Sequence, residues 1–291
     1  MQGMKRILSL ILLFVALGAG AQEIAVKQGC FTSYTTREDS LLIEKKIAAL
    51  KGQGSTVQEL VFAAAKSMYG TPYVSNLLGL ADGPERFRIT VAKTDCILFV
   101  EAMLCMASVA AKEVDAPYYR AFAKEMVHCR YRKCSEINHF SDRIHYTTEW
   151  IRNLEARGVV KDITLELGGK VYDHPISYMS AHPSAYKMGV DDVDRIKAVE
   201  AELNREPLTL IPPEKIAGLA GKVQSGDIIC YVTGIEGLDI SHVVIACVQG
   251  GELRFIHASS TEKKVVLDAR TVAQFVAGRR NCVGIKVVRP L

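Results

Sequence analysis

The sequence has no apolar run long enough to cross a membrane and no long run of basic residues. Its most apolar segment, residues 7–17, is shorter than the roughly 20 residues that a membrane-spanning helix needs. Lysine and arginine number 36 against 32 aspartates and glutamates, for a formal charge of +4. Because nucleic-acid binding requires a concentrated basic surface, we expect no nucleic-acid partner and no stable membrane insertion once a signal segment is removed.

The eight cysteines include no Cys-x-x-Cys pair, so neither a zinc ribbon nor a thioredoxin-like redox motif has support. Cys105, Cys230 and Cys247 lie in apolar runs and are interpreted as core residues. Disulfides are possible in an oxidising compartment, and Cys129 and Cys134 are the nearest pair in the sequence. The sequence also has no internal repeat and no low-complexity tract, and its length fits one large domain.

The N-terminus has the three parts of a secretory signal. Lys5 and Arg6 precede the apolar run, and Ala19-Gly20-Ala21 supplies an Ala-x-Ala cleavage site. We expect a signal peptide over residues 1–21 and a periplasmic or secreted protein over residues 22–291. Removal of the two basic residues lowers the formal charge from +4 to +2.

Helical patterns come first in the chain and strand patterns last. The spacing predicts helices over 36–50, 55–68, 96–110, 118–126, 150–156 and 191–204. It predicts a short strand over 87–91, before the helix at 96–110, and later strands over 227–232, 242–249, 252–257, 265–268 and 284–288, with one helix over 271–277. Helices followed by an antiparallel sheet predict an α+β fold.

The segment 96–110 is the strongest candidate for a buried helix, because it contains no glycine or proline and only one charge, Glu101. Thr94 or Asp95 can cap its start. Cys96 then lies in the first turn, where free N–H groups and the helix dipole favour a thiolate. Cys96 is therefore a candidate nucleophile, although free cysteine is also common as a small core residue.

Two glycines, Gly250 and Gly251, separate two apolar runs and predict a two-residue hairpin turn. With that turn, His242 and His257 become diagonal neighbours on one side of the hairpin, within side-chain reach. One imidazole can accept the thiol proton of Cys96 while the other fixes its tautomer. A zinc site built from the same three groups has less support, since the sequence offers no closely spaced ligand pair.

A second group of polar residues precedes the predicted helix at 150–156. Arg143, His145 and Tyr146 lie at this helix start, where an anionic or sugar-bearing substrate could be held. A capped helix with a solvated side explains the same spacing equally well.

Several of these segments together resemble the NlpC-type cysteine peptidase superfamily, which has a papain-like core. The residues that carry this resemblance are Gly70-Thr71-Pro72-Tyr73, Asp95-Cys96, Ser241-His242-Val243 and His257-Ala258-Ser259-Ser260. The chain resembles more closely the N-acetylmuramoyl-L-alanine amidase-like branch of that superfamily. The closer match rests on Asp95-Cys96 through Phe99-Val100-Glu101, Arg143-Ile144-His145-Tyr146 to Trp150, Tyr178-Met179-Ser180, and Gly237-Leu238-Asp239-Ile240-Ser241-His242.

The resemblance implies a nucleophile helix packed on an antiparallel β-sheet, in one catalytic domain over 22–291 with family-specific helical insertions around 111–222. It implies Cys96 as nucleophile, His242 as base and His257 as the group that orients the base, with no metal and no cofactor. Substrate-binding residues are expected to be Tyr73, Asp95, Arg143, His145, Tyr146, Asp239 and Ser241.

The activity that the resemblance implies is hydrolysis of the amide between muramic acid and L-alanine in peptidoglycan fragments (muropeptides). Two alternatives stay open: a peptidase that cuts the stem peptide between D-glutamate and the diamino acid, and a non-catalytic muropeptide-binding protein. Ile97 and Leu98 stand where a small or hydroxyl residue is expected, and Val244 stands in place of a glycine. These departures bear on how the substrate fits.

Overall fold

The computed structural model describes residues 22–291, so the expected signal peptide lies outside the described residues. The helices are α1 (Arg37–Leu50), α2 (Val57–Ser67), α3 (Cys96–Ala110), α4 (Tyr119–Arg130), α5 (Thr147–Ala156), α6 (Tyr178–Ala181), α7 (Pro183–Tyr186), α8 (Val190–Leu203), α9 (Pro213–Ile216) and α10 (Val272–Ala277). The strands are β1 (Glu23–Gln28), β2 (Phe31–Thr36), β3 (Phe87–Arg88), β4 (Val160–Asp162), β5 (Lys170–Tyr172), β6 (Leu208–Leu210), β7 (Ile228–Thr233), β8 (Ile240–Gln249), β9 (Glu252–Ser259), β10 (Lys264–Leu267) and β11 (Cys282–Pro290).

Within residues 22–291, the largest sheet has six antiparallel strands in the order β10-β9-β8-β7-β11-β4. The β8–β9 hairpin has the predicted register, since residues 245–249 pair with 252–256. Gly250 and Gly251 have φ angles of +59° and +78°, the positive values that the tight hairpin turn requires at both positions. The fold is mixed α+β with helices and antiparallel sheets, as predicted.

The predicted order of helices first and sheet last is wrong in two places. β1 and β2 form a hairpin before the first described helix. β3, which adds to β2 in parallel, lies within the short strand predicted over 87–91. β4, from the middle of the chain, pairs with β11 at the edge of the main sheet. Such short strands form because a distant partner is available, and sequence periodicity does not report distant partners.

Helix α3 occupies the centre of the larger hydrophobic core. Asp95 caps it, accepting a hydrogen bond from the N–H of Leu98 at 2.9 Å. The helix packs against α1, α2 and α4 and against strands β8 and β9. Its only charge, Glu101, bonds to Nε and Nη2 of buried Arg130 on α4 at 3.1 and 2.8 Å. Contacts on every side therefore hold the start of α3 in place.

The other side of the sheet is covered by α9 and α10 and forms a second core. Central strand β7 is buried on both sides. Ile228 and Cys230 contribute to the core that contains α3, whereas Ile229 and Tyr231 contribute to the core that contains α10. The sheet thus separates the two cores, and its ends are where side chains from both can meet.

Residues 111–222, the region of the predicted insertions, hold α4–α9 and β4–β6. Met179, Ile196 and Leu203 from α6 and α8 form a third, smaller core with Phe140 and Tyr146. The predicted domain bounds stay a prediction. None of the helices described in residues 22–291 combines the length and apolar character of a membrane span.

Candidate active site

Cys96 is the first residue of α3, and it is half-buried. Its sulfur accepts a hydrogen bond from the backbone N–H of Val243 on β8, immediately after His242. Tyr73 lies beside the thiol, and the two groups interact electrostatically. Two backbone contacts hold Tyr73 there. It forms a β-bridge with Thr94, and its N–H donates a hydrogen bond to the carbonyl of Lys263 at 2.9 Å. The structure therefore brings Tyr73 and Cys96 to the strand that carries His242.

The two histidines contact each other as the hairpin register predicted. Nε2 of His242 lies 2.8 Å from Nδ1 of His257, and the two rings are close to perpendicular at 79°. Since Nε2 of His242 is used in this contact, Nδ1 is the nitrogen that is left for the thiol of Cys96. Across residues 22–291, no hydrogen bond joins that thiol to either imidazole, so the contact between nucleophile and base stays a prediction.

The imidazoles pack on the side of the sheet that carries α10. Tyr231 stacks on His242 with a ring separation of 6.0 Å and an angle of 13°, and Phe255 meets His257 edge-on at 5.0 Å. Phe275 of α10 lies 6.1 Å from both imidazole rings. Cys96 reaches the sheet from the opposite side, beyond the last paired residues of β8 and β9. The thiol thus contacts β8 at Val243, while the ring of the preceding His242 packs on the opposite side of the sheet.

Asp268 extends the histidine pair and was missed by sequence reasoning. Its Oδ2 lies 3.4 Å from Nε2 of His257, a close contact that is too long for a well-formed hydrogen bond. Arg270 holds the same carboxylate with two hydrogen bonds of 2.9 and 2.7 Å. The carboxylate favours the His257 tautomer with a proton on Nε2, so that Nδ1 accepts from His242. Nδ1 of His242 is then unprotonated, as a base requires.

The signal for Asp268 was present but incomplete. Val266 of β10 pairs with His257, so Asp268, two residues further on, points to the same side of the sheet. Residues 260–263, which connect β9 to β10, have none of the glycine pairs that define a turn, and Lys263 adopts a positive φ of 58°. The register of β10 against β9 could therefore not be deduced from the sequence.

Burial controls the protonation of the three central groups. Burial, together with the Asp95 carboxylate, raises the pKa of Cys96 to about 12. Burial lowers the pKa of His242 to about 3 and that of His257 to about 4. The prediction that the helix start would favour a thiolate is wrong for the resting site, because desolvation of the sulfur outweighs the nearby N–H groups. The resting site contains a neutral thiol and two neutral imidazoles.

Asp95 and Ser241 also lie next to the predicted catalytic groups. The Asp95 side chain is committed to capping α3, and burial raises its pKa. Ser241 is exposed beside His242, and its hydroxyl donates to the carbonyl of Tyr231 at 3.3 Å. Of these two residues, Ser241 is the one whose side chain is open to a substrate.

The predicted anion site at the start of α5 is already filled. The N–H of Thr148, in the first turn of α5, donates to Oδ2 of buried Asp239 at 2.7 Å. The other carboxylate oxygen of Asp239 accepts from the N–H of Ile240, also at 2.7 Å. A protein carboxylate thus takes the position that a substrate anion would need, and Asp239 links α5 to the strand that carries His242.

Arg143, His145 and Tyr146 make internal contacts in the structure. Arg143 is buried and donates to the carbonyls of Leu78 and Gly79 at 3.4 and 3.3 Å. His145 donates from Nε2 to the carbonyl of Phe140 at 2.8 Å, and burial holds its pKa well below the ordinary value.

Tyr146 donates its hydroxyl hydrogen to Glu200 at 2.7 Å and accepts from the N–H of Met179 at 2.8 Å. These contacts fix the loops around the site, and they leave no free polar group on Tyr146 for a substrate. Within the described chain, no group of three His, Cys, Asp or Glu side chains is placed to hold a metal ion.

The chain has a mixed α+β fold in which the helix that begins with Cys96 packs against the strand that carries one of the two paired histidines. The chain belongs to the N-acetylmuramoyl-L-alanine amidase-like family, whose model matches residues 63–284. Family membership supports an amidase-like function on peptidoglycan at the level of the family.

Solved structures similar to this chain include an N-acetylmuramoyl-L-alanine amidase from Bacteroides uniformis ATCC 8492. It is 30% identical, with a TM-score of 0.74 over 81% of this chain and 99% of that chain. A Bacteroides fragilis protein named as a candidate xylanase is 31% identical, with a TM-score of 0.70 over 78% and 99% of the two chains. A Legionella pneumophila protein, 20% identical over 87% and 95%, shares the fold with a TM-score of 0.66. Among curated proteins, none matches this chain.

Proposed function

We propose that the protein is an exported cysteine amidase that hydrolyses the bond between N-acetylmuramic acid and L-alanine in muropeptides. The observation that carries the proposal is the 2.8 Å contact between His242 and His257, one residue from the point where the Cys96 thiol meets β8. The family supplies the substrate class. The packing of α3 on β8 and β9 supports a papain-like, NlpC-type core as part of the same proposal.

In this mechanism Cys96 is the nucleophile and His242 is the general base. Because both groups are neutral at rest, Nδ1 of His242 accepts the thiol proton as the sulfur attacks the lactyl carbonyl carbon. His257 accepts the Nε2 hydrogen bond of the resulting imidazolium, and the Asp268 carboxylate stabilises that positive charge from the far side of His257.

The tetrahedral intermediate places a negative oxygen at the start of α3, where backbone N–H groups can stabilise it. His242 then donates its proton to the departing amine of L-alanine, and the carbonyl carbon stays on the sulfur as a thioester. A water molecule, deprotonated by His242, attacks the thioester carbon and releases the muramic acid carboxylate and the Cys96 thiol.

Mass spectrometry of products from a disaccharide-peptide tests the proposal. Free disaccharide with an intact peptide is expected, and Cys96→Ala should abolish turnover while the far-UV circular dichroism stays unchanged. Cys105→Ala is the matched control, since Cys105 is a buried thiol of the same helix away from the site. A shortened stem peptide would identify a peptidase, and binding without turnover by the natural protein would identify a muropeptide-binding protein.

Export is tested separately from activity. The full chain, expressed in a Gram-negative host, should accumulate in the periplasm with Gln22 at its N-terminus. A protein that stays in the cytoplasm and keeps residues 1–21 would contradict the proposed export, whatever its activity.

A further inference from the structure

Two thiols outside the candidate active site come from distant parts of the chain and lie side by side. Cys30 is exposed in the turn between β1 and β2, after Gly29, which has a φ of +56°. Cys134 is half-buried in the loop that follows α4. The Cys30 thiol is close enough to raise the pKa of Cys134. The two sulfurs are therefore neighbours in the folded protein.

A surface cavity of about 240 Å³ is lined by both cysteines. Phe31 of β2 and Phe87 of β3 also line it, as do Ser135, Ile137 and Asn138 from the loop after α4. Because Cys30 is exposed, a small disulfide compound can reach its sulfur without unfolding the protein. Neither cysteine has a part in the proposed amidase mechanism.

We propose that Cys30 and Cys134 are a modification site that forms a disulfide bond between the β1–β2 turn and the loop after α4. With oxidised glutathione as oxidant, one cysteine thiolate attacks a glutathione sulfur and releases one glutathione thiol. The second cysteine then attacks the mixed disulfide and releases the other glutathione. The two protein thiols lose two electrons and two protons, and the glutathione disulfide gains them.

The bridge would constrain much of the larger core. The closed loop contains about 100 residues, including α1, α2, α3 and α4, and the loop-closure model gives long loops the largest stabilisation. The expected effect is an increase in Tm of about 5 to 10 °C on oxidation, given the chain length. This inference does not rest on the amidase activity.

A second pair of cysteines provides a comparison within the same molecule. The sulfurs of Cys105 and Cys129 lie 3.4 Å apart between α3 and α4, but both residues are at most 4% exposed. An oxidant that acts on the folded protein should reach Cys30 and not this pair. If Cys30 and Cys134 oxidise before Cys105 and Cys129, the bridge depends on access of the oxidant and not only on the distance between two sulfurs. Cys129 and Cys134, the nearest pair in the sequence, thus have different partners in the fold.

The test uses the purified, fully reduced protein, incubated with oxidised glutathione, quenched with acid, unfolded and alkylated. Peptide mapping is expected to show one cross-linked peptide that joins Cys30 to Cys134, with six cysteines alkylated. The increase in Tm should disappear with dithiothreitol and in Cys30→Ser and Cys134→Ser. It should persist in Cys282→Ser, the matched control for a half-buried thiol outside the pair.

Three outcomes would overturn the proposal: alkylation of all eight cysteines after oxidation, glutathione adducts on Cys30 and Cys134 without a cross-linked peptide, or a bridge between Cys105 and Cys129 alone. The substituted cysteines are exposed or half-buried, so the variants are expected to fold, and circular dichroism checks this. Amidase assays on the same samples keep this result separate from the proposed function, since the reduced protein should remain active.

Discussion

Replacing Asp268 with asparagine tests how the histidine pair is prepared for catalysis. In the proposed mechanism Asp268 is a positioning residue that acts through His257, whose Nε2 lies 3.4 Å away. Asp268→Asn preserves the shape of the side chain and removes its negative charge. A loss of rate therefore reports the charge and the tautomer that the carboxylate selects.

The size of the loss follows from the distance between the carboxylate and the ring that becomes charged. The 3.4 Å contact, the His257 ring and the 2.8 Å contact place the carboxylate roughly 8 Å from the His242 imidazolium. At an effective dielectric constant of about 20, Coulomb's law gives about 2 kcal/mol, or about 30-fold in rate. Arg270 offsets part of this effect, whereas a wrong tautomer adds to it. We expect kcat/KM to fall about 10- to 100-fold with little change in KM.

The assay measures initial rates of disaccharide release between about pH 2.5 and pH 9, so that the acid limb of the rate profile is included. Loss of the carboxylate lowers the imidazole pKa values further, so the acid limb of the rate profile should move to lower pH. Asp227→Asn is the matched control: Asp227 is also a buried carboxylate, bonded to Arg289 at 2.9 and 2.7 Å. An unchanged rate in Asp268→Asn, or equal losses in both variants, would refute the reasoning.

Stability should fall as the pH decreases from 6.5 towards 3, because unfolded His242 and His257 bind protons that the folded rings, with pKa values of about 3 and 4, do not. Urea unfolding at a series of pH values measures this. Glu101→Ala should lower the free energy of unfolding by about 3–5 kcal/mol in the same assay, because Arg130 is left buried without its partner. Gly226→Ala should lower Tm and cost about 2–4 kcal/mol, since the glycine has a φ of +97° and a Cβ would lie 2.1 Å from a carbonyl oxygen of α2.

Each of these predictions has a control in the chain. His257→Asn should weaken the dependence of stability on pH, whereas His182→Asn, at an exposed position, should not. Glu125→Ala breaks an exposed pair with Lys112 and should cost less than about 1 kcal/mol. Gly250→Ala, with a φ of +59° and open space around the new Cβ, should cost about 1–2 kcal/mol. Losses in these variants as large as those above would contradict the assigned causes.

The parts of the site that sequence analysis predicted are those with local signals. The bounds of α3 follow from an Asp cap and from fifteen residues without glycine or proline. The diagonal placement of His242 and His257 follows from two glycines that allow one turn type and hence one register. Each signal lies within about ten residues of the feature that it determines.

The parts that could not be predicted depend on contacts between distant segments. Asp268 joins the histidines through the pairing of β10 with β9, and β4 completes the sheet through three residues that pair with the end of the chain. Asp239 caps α5 from 91 residues away. No periodicity or capping pattern predicts such contacts, because the sequence around one partner contains no information about which distant segment it will contact.

The protonation state of the site is the clearest case in which burial overrules a local rule. A cysteine at a helix start is expected to ionise, yet desolvation of the half-buried Cys96 and the nearby Asp95 carboxylate raise its pKa to about 12. Oxidants and alkylating reagents react with thiolates, so a neutral Cys96 should react slowly with them. In the proposed mechanism the thiol loses its proton only as it attacks the substrate carbonyl. Cys30 has the opposite setting, exposed and beside a second thiol. In an oxidising compartment these two settings allow one cysteine pair to form a bridge while the nucleophile stays reduced.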